Sequence, residues 1–541
     1  MSPNGTAPPA APATALPGPH PAPEALRVVT APEALRVVTA DGVPLATEVR
    51  LPAGPGPFPA VVLRTPYDRR NHRAEAAAWA ARGFAAVVQD VRGRYGSGGD
   101  WHPYRDEAAD SAATLRRVRE QPWSDGRVVA VGASYAAHCA LATATTGPGA
   151  GTPASDRPDA VIAAVPALGL AETGREPTGP ERLYARAGWW AAHGDRPDAD
   201  EHALARALAA DPRLLEHLPL IDLPRRLGRD LPSWPRLWDT PRPAAVTGAS
   251  APPLLVVGGT HDPFADDALR LWRDWHGPAR LLVGPWGHGL TADPAPGATA
   301  GHRLNLGELY VRWARAALRG TLGPGRRGAV ALGGAGHWCP AEVRVHDRVW
   351  ESGRPAGLRT LHGAEFTADP AAPVRSDTLD VPTGGTDGGP PAPAPDRTVL
   401  VTPPLDRPLD VVGTPYVRLR ATASTPSADW AVRLVALDPD GRAGHLATGI
   451  VRRHDPPSAE ARFRVPLGLT ARRLPAGTRL RVEVAGHHFP AHARNPHTGA
   501  DPVRATRLDP SRRAVRETGS ALVLPVAARR SPADPVQETC T

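Results

Sequence analysis

The chain has 541 residues, 41% of them hydrophobic and 22% charged, which is more than one hydrophobic core covers and enough for roughly two to four packed domains. Its 63 basic residues against 55 acidic ones leave a formal net charge of +8, and every basic residue is an arginine. With no ε-amine available, a PLP aldimine, a P-loop, a kinase strand lysine, a Schiff-base aldolase and a Ser-Lys dyad are all excluded.

Residues 1–21 are Pro/Ala-rich, and APEALRVVT then occurs twice in tandem, at 22–30 and 31–39. Two copies are too few for a solenoid, so 1–34 is expected to be a disordered linker in which the first copy is redundant. The second copy runs into ADGVPLATEVRLP, an alternating stretch around a D-G turn that predicts a β-hairpin. From there to 166 the pattern is α/β. PAVVLR (59–64), FAAVVQD (84–90), RVVAVG (127–132) and DAVIAAV (159–165) predict buried strands, with helices at 73–82, 106–120 and 135–146 between them. Such alternation predicts a mostly parallel sheet covered on both faces.

Residues 167–248 show helical patterns and no convincing strand, and read as an inserted helical cap. Strand patterns return at 253–259 and 280–286, with helices at 266–276 and 305–319. These complete an α/β domain made of residues 35–166 and 249–325. From 326 to 541, short alternating segments separated by Pro, Gly and Asp predict a β-sandwich of jelly-roll type. Asp90 and Arg92 are expected to form a structural ion pair.

Cys139, Cys339 and Cys540 are odd in number and form no C-x-x-C, which argues against a disulfide framework and a cysteine-based zinc site. No signal-peptide pattern opens the chain, and no apolar run approaches the roughly 18 residues that span a bilayer. The expectation is a soluble, cytoplasmic protein with no membrane partner. No run of five or six basic residues occurs, so no nucleic-acid partner is expected either. Oligomeric state is open at this level.

The chemistry concentrates in three strand-end loops. After RVVAV comes Gly132-Ala133-Ser134-Tyr135 and then a helix, a sharp strand-to-helix turn whose small neighbours leave the serine exposed. A helix N-cap would also place a serine there. A serine nucleophile needs a base, and the base an orienting acid. Asp262 follows PLLVVGG and His288 follows RLLVGPW, which is the Ser, Asp, His chain order of α/β-hydrolases. Asp266 and Asp267 compete for the acid role but fall inside the next helix pattern.

RTPYDRR (64–70), QDVRGRYGSGG (89–99), QPWSDGRVVAVGASY (121–135) and GPWGHG (284–289) together resemble the cocaine esterase / X-prolyl dipeptidyl-peptidase family of serine hydrolases. LDPDGRAGHLATGIVRR (437–453) and LPAGTRLRVEVAGHHFPAHARNPHTG (474–499) continue the match, which covers about residues 35–525. The resemblance implies an α/β-hydrolase domain, a helical cap and a C-terminal jelly roll. It implies Ser134 as nucleophile, His288 as base and Asp262 as orienting acid. It further implies an oxyanion hole from the Tyr67 hydroxyl and the backbone N–H of Tyr135, with Phe264 lining the acyl pocket. The chain departs from the family pattern at Ala137, where a glycine is usual.

The expected substrate is a small-molecule acyl ester or amide, with no metal or organic cofactor. An ester is favoured, because nothing in the spacing of Glu176, Glu181, Asp195, Asp198, Asp200 and Glu201 in the cap marks a site for a substrate ammonium. A dipeptidyl-peptidase or acyltransferase on the same fold, and a non-catalytic binding protein, are the alternatives. Gly93, Gly96, Gly98 and Gly99 do not form G-x-G-x-x-G before a helix, and His487, His488, His492 and His497 lack a carboxylate partner in sequence. Trp189, Trp190, Trp234 and Trp238 fit either a substrate mouth or cap packing.

Overall fold

The apolar, β-branched runs become the centre of a ten-stranded sheet in the computed structural model, which describes residues 29–144, 153–243, 251–376, 396–528 and 532–541. Its strands are β1 (Glu33–Val38), β2 (Pro44–Arg50), β3 (Phe58–Thr65), β4 (Ala85–Asp90), β5 (Ser124–Ala133), β6 (Ala160–Ala164), β7 (Leu254–Gly259), β8 (Ala279–Gly284), β9 (Arg326–Leu332) and β10 (His337–Pro340). Their spatial order is β1-β2-β4-β3-β5-β6-β7-β8-β9-β10. All neighbours from β4 through β9 run parallel, while β1–β2 and β2–β4 at one end and β9–β10 at the other are antiparallel. Burial on both faces explains why these runs are apolar without alternation. Leu255 and Val257 face one core with Trp79 and Trp313, whereas Leu254 and Val256 face another with Leu141 and Trp272.

Four sequence expectations change at this level. The boundary at 325/326 does not coincide with the sheet, because β9 pairs parallel with β8 and β10 extends it. The helix Pro535–Cys540 also returns to this unit: Val536 and Cys540 pack on its core, and Arg280 donates to the Thr541 carbonyl at 2.6 Å. The linker expected over 1–34 overlaps β1 from Glu33. Residues 1–28 lie outside the description, but Thr30, the last residue of the first repeat copy, donates to the Leu51 carbonyl at 3.0 Å. Finally, Asp90 pairs with Arg69 at 2.5 Å, and Arg92 turns instead to Asp41 and Asp110 at 2.6 and 2.7 Å.

Between β6 and β7 the chain forms helices Leu183–His193, Ala203–Ala210 and Ser233–Asp239, whose core holds Leu183, Trp190, Trp234 and Trp238. The same core takes Phe489, Ala493 and Val503 from the C-terminal part. That part comprises an eight-stranded and a five-stranded antiparallel sheet, sharing a core that includes Trp350, Leu400, Leu434, Val482 and Leu522. Arg452 fastens cap to sandwich, donating to both oxygens of Glu181 at 2.9 and 2.8 Å and to both of Asp429 at 2.8 and 3.0 Å. Among the described residues no helix is long and apolar enough to cross a membrane.

Candidate active site

Ser134 sits one residue past β5 with φ 58° and ψ −122°, a conformation that disfavours any side chain and is held only by strong surroundings. Its N–H donates to the Ala164 carbonyl at 3.0 Å, and its carbonyl accepts from Ala137 and Ala167 at 3.1 and 3.2 Å. The turn is so tight that a Cβ on Gly132 would lie 2.2 Å from the Ala136 carbonyl carbon and oxygen. Gly132→Ala is therefore expected to destabilise the fold by at least about 3 kcal/mol, because backbone rather than a pliable side chain is in the way. Urea unfolding together with ester turnover would check it; a variant with native stability would contradict this account of the turn. Ala137, the departure from the family pattern, is fully buried in the core with Ala140, Leu141 and Val161, so its methyl fills space rather than distorting the helix start.

The loops after β7 and β8 converge on this turn. A Cβ on Gly259 would lie 2.1 Å from the Trp286 carbonyl oxygen, so only glycine allows the two loops this approach, and His261 N–H bonds that same carbonyl at 3.0 Å. As a result Asp262 Oδ1 accepts from His288 Nδ1 at 2.7 Å, and Ser134 Oγ lies 3.0 Å from His288 Nε2. The Asp262 side chain is fully buried while the imidazole is partly open. A carboxylate holding one ring nitrogen leaves the other as acceptor for the serine proton and favours the imidazolium that forms.

Tyr67 follows β3 on the other side of Ser134. Burial raises its phenol above the ordinary range, while hydrogen bonds with Trp189 and Ser134 act against that shift. The Trp189 indole N–H donates to the phenol oxygen at 3.1 Å, so the neutral hydroxyl keeps its own proton for donation. The Tyr135 backbone N–H opens the helix Tyr135–Leu141, where the first N–H groups have no intrahelical acceptor. The Tyr135 side chain is elsewhere: its buried hydroxyl bonds Glu107 and accepts from Tyr104 N at 2.7 Å. Phe264, buried, packs edge-on to the His288 ring with centroids 5.6 Å apart.

The cap closes the site from above. Trp189 stacks on Tyr135 at 5.7 Å and 11°, and His193 meets Tyr67 edge-on at 5.1 Å. Burial and the Arg94 charge lower His193 to about 4, so it is neutral at ordinary pH. Trp189 thus belongs to the site, whereas Trp190, Trp234 and Trp238 pack the cap. Tyr104 and Arg186, which the sequence reading did not single out, also stand here. The signal for Arg186 was helical spacing, since Arg186, Trp189 and His193 fall on one face of Leu183–His193, whereas Tyr104, in the loop before the helix Glu107–Arg119, had none. The six cap carboxylates singled out in the sequence have basic or hydroxyl groups near them: Glu176 with Arg182 and His492, Glu181 with Arg452, Asp195 with Ser233 and His102, Asp198 with Arg196, Asp200 with Arg206, and Glu201 with His193.

The other weak sequence patterns are structural. Gly93 has φ 69° and its Cβ would strike Trp101 N at 2.1 Å, so that loop is a tight strand-end crossing. His488 bonds His492 at 3.1 Å, His492 bonds Glu176 at 3.0 Å, and His497 bonds the Asp509 carbonyl at 2.7 Å. Among the described residues no group of three or more His, Cys, Asp or Glu side chains is arranged to hold a metal ion. A cavity of about 610 Å³ lies on the sandwich, lined by Glu351, Arg418 and Arg464 among others and by neither Ser134 nor His288.

Comparison with known proteins agrees with this architecture. Residues 41–290 match the family model of the X-Pro dipeptidyl-peptidase (S15 family), and residues 357–529 match the X-Pro dipeptidyl-peptidase C-terminal non-catalytic domain. Cocaine esterase of Rhodococcus sp. (strain MB1 Bresler) is 29% identical over 543 residues, covering 85% of this chain and 91% of the esterase. Among solved structures, an α-amino acid ester hydrolase superposes with TM-score 0.68 at 20% identity, over 94% of this chain and 98% of its own. An aminopeptidase from a marine sediment Thaumarchaeota archaeon gives TM-score 0.67 at 20% identity, over 96% and 99%. The chain belongs to the X-Pro dipeptidyl-peptidase (S15) family and is a serine hydrolase of acyl esters or amides.

Proposed function

We propose that the protein hydrolyses a carboxylic ester through an acyl-enzyme formed on Ser134. The observation that carries this reading is the unbroken hydrogen-bonded line from Asp262 through His288 to Ser134, at 2.7 and 3.0 Å. Ser134 Oγ attacks the ester carbonyl while His288 Nε2 takes its proton. The oxyanion that forms is met by the Tyr67 hydroxyl and the Tyr135 N–H, neither of which must reorganise during the reaction. His288 then returns the proton to the departing alcohol oxygen as the carbon–oxygen bond breaks. Water repeats the sequence in reverse roles, releasing the acid and restoring Ser134. Asp262 holds the imidazole orientation throughout, and Phe264 forms the wall beside it.

An ester is favoured over an X-Pro dipeptide because the cap carboxylates of Glu176, Glu181 and Asp200 are already engaged by arginines and are not free to hold a substrate ammonium. We also place the protein in a reducing compartment, the cytoplasm, since Cys139, Cys339 and Cys540 are all free.

Intact-mass measurement after treatment with a fluorophosphonate tests the reading. One adduct on the wild type that disappears in Ser134→Ala supports it. An unlabelled, folded wild type would overturn it.

A further inference from the structure

Arginines crowd the cap, and nearly all of them are neutralised in place. Arg182 donates to both oxygens of Glu176 at 2.9 and 2.8 Å and lies 3.7 Å from Asp267. Arg242 bonds Asp267, and Arg175 reaches Glu181. Arg94, fully buried with no carboxylate beside it, still donates to the carbonyls of Pro66, Arg196 and Asp198 at 2.9, 2.6 and 2.7 Å.

Arg186 differs from all of these. It is only 7% exposed, yet among the described residues its guanidinium has no ion pair and no hydrogen bond, and its Nε is buried without a partner. The charges that act on it are phenols and the guanidinium of Arg182; no carboxylate is among them. Burying an unpaired cation is costly, and a fold keeps one only where something else repays the loss of water. Groups held against such a cost cluster at functional sites.

Its position shows which site. The guanidinium carbon stands 5.8 Å from the centre of the Phe264 ring, and that ring packs on His288. Its charge acts on the phenols of Tyr67 and Tyr104. One turn further along the same helix, Trp189 bonds Tyr67. Arg186 therefore lies between the wall beside the base and the phenol beside the serine, among aromatic rings, with the Glu176-paired Arg182 over the same Phe264 ring at 5.9 Å.

We infer that Arg186 is a specificity-determining residue that binds a carboxylate on the substrate, so that the preferred substrate is a monoanionic ester. This rests on the ester-hydrolase reading of Ser134 above. A guanidinium offers a planar fork that matches a carboxylate bidentately. A single cation among aromatic rings suits one negative charge, whereas a phosphate dianion would leave charge unbalanced. The carboxylate could sit on the acyl chain or on the leaving group, and the two are separable by experiment.

Three esters serve as probes: 4-nitrophenyl hexanoate, which is neutral; mono-4-nitrophenyl adipate, with its charge on the acyl chain; and 4-(hexanoyloxy)benzoate, with its charge on the leaving group. Arg186→Met is expected to lower kcat/KM about 10–100-fold for one of the two anionic esters, chiefly through KM, the magnitude of a lost hydrogen bond to a charged group. It should leave the neutral ester within about threefold, and Arg186→Lys should restore part of the loss. The anionic ester that suffers identifies the side on which the carboxylate sits. The melting temperature of Arg186→Met should equal or exceed that of the wild type, because an uncompensated charge has been removed.

A uniform loss across all three esters, or a lowered melting temperature, would make Arg186 a structural residue and overturn the inference. Anionic esters unaffected by the change would do the same. If Arg186→Met does not fold, protection of the wild type decides: monomethyl adipate should slow fluorophosphonate labelling at concentrations where dimethyl adipate does not, and equal effects would count against the proposal. The underlying reading is separately visible. Fluorophosphonate labelling of Ser134 in Arg186→Met keeps the hydrolase machinery in place whatever the ester preference, and absence of labelling in the wild type removes both proposals together.

Discussion

Ser134→Ala is expected to lower kcat/KM toward an activated ester by about 10⁶-fold, with the fold unchanged. The size follows from the geometry. In the proposed mechanism Ser134, His288 and Asp262 act as one proton-transfer unit, so removing either end of the Ser134–His288 contact removes the pathway. His288→Ala should cost nearly the same, and the double variant little more, because the second change deletes a group that no longer has a function. Asp262→Asn keeps the shape but presents the imidazole in the wrong tautomer, and a loss of about 10⁴-fold is expected. Tyr67→Phe removes one oxyanion donor while leaving the proton pathway whole, so its loss should be smaller, about 10²–10³-fold, and confined to kcat. Single-turnover and steady-state kinetics on 4-nitrophenyl esters separate these effects. Strictly multiplicative losses in the Ser134/His288 double variant would mean that the two do not act together.

The largest stability effect is expected at Arg452. Its guanidinium is 10% exposed and joins two carboxylates, Glu181 from the cap and Asp429 from the sandwich, whose side chains are 2% and 1% exposed. Asp429 also accepts from Asn495 at 2.8 Å, so it is committed to its place by a second contact. Arg452→Met leaves Asp429 buried without its paired cation and Glu181 with only the Arg175 contact at 3.4 Å, and a loss of about 3–5 kcal/mol is expected. The neighbouring Arg453→Met breaks a pair with Asp455 that is 38% and 25% exposed, and should change stability by no more than about 1 kcal/mol. Denaturant melts of the two variants side by side give the comparison. Because Glu181 lies two residues before the helix that carries Arg186 and Trp189, Arg452→Met should also loosen the cap and raise KM. Equal stability of the two variants would show that the buried network contributes no more than a surface pair.

Much of the catalytic unit was visible in the chain because its logic is local. The β-branched run before Ser134, the small residues around it and the helix after it are all within fifteen residues. Asp262 and His288 could be found the same way, each just beyond an apolar strand. The motif strings then tied these loops together by resemblance. Arg69 as the partner of Asp90 was not legible, because Arg92 is nearer in sequence while Arg69 is nearer in space. Asp90 ends β4 and meets the loop that follows β3, while Arg92, two residues on and already past the strand, turns toward Asp110. The edge of the α/β unit was misplaced for a related reason. β9 and β10 look like any short strands, and only their pairing with β8 assigns them to the hydrolase sheet.

Sequence alone thus determined the α/β alternation, the helical segments between β6 and β7, the β-rich C-terminal part and the strand-end places of Ser134, Asp262 and His288, since periodicity and turn chemistry are properties of neighbouring residues. Tertiary structure decided that the buried Arg186, among the described residues, is left without an ion pair or hydrogen bond, which tryptophan faces the serine, and how cap and sandwich are clamped. Those outcomes depend on charges and rings brought together from segments up to about 270 residues apart, as with Glu181 and Arg452. Burial sets their energetic weight, because in a dry interior a charge is governed by what the fold places beside it and not by what precedes it in the chain.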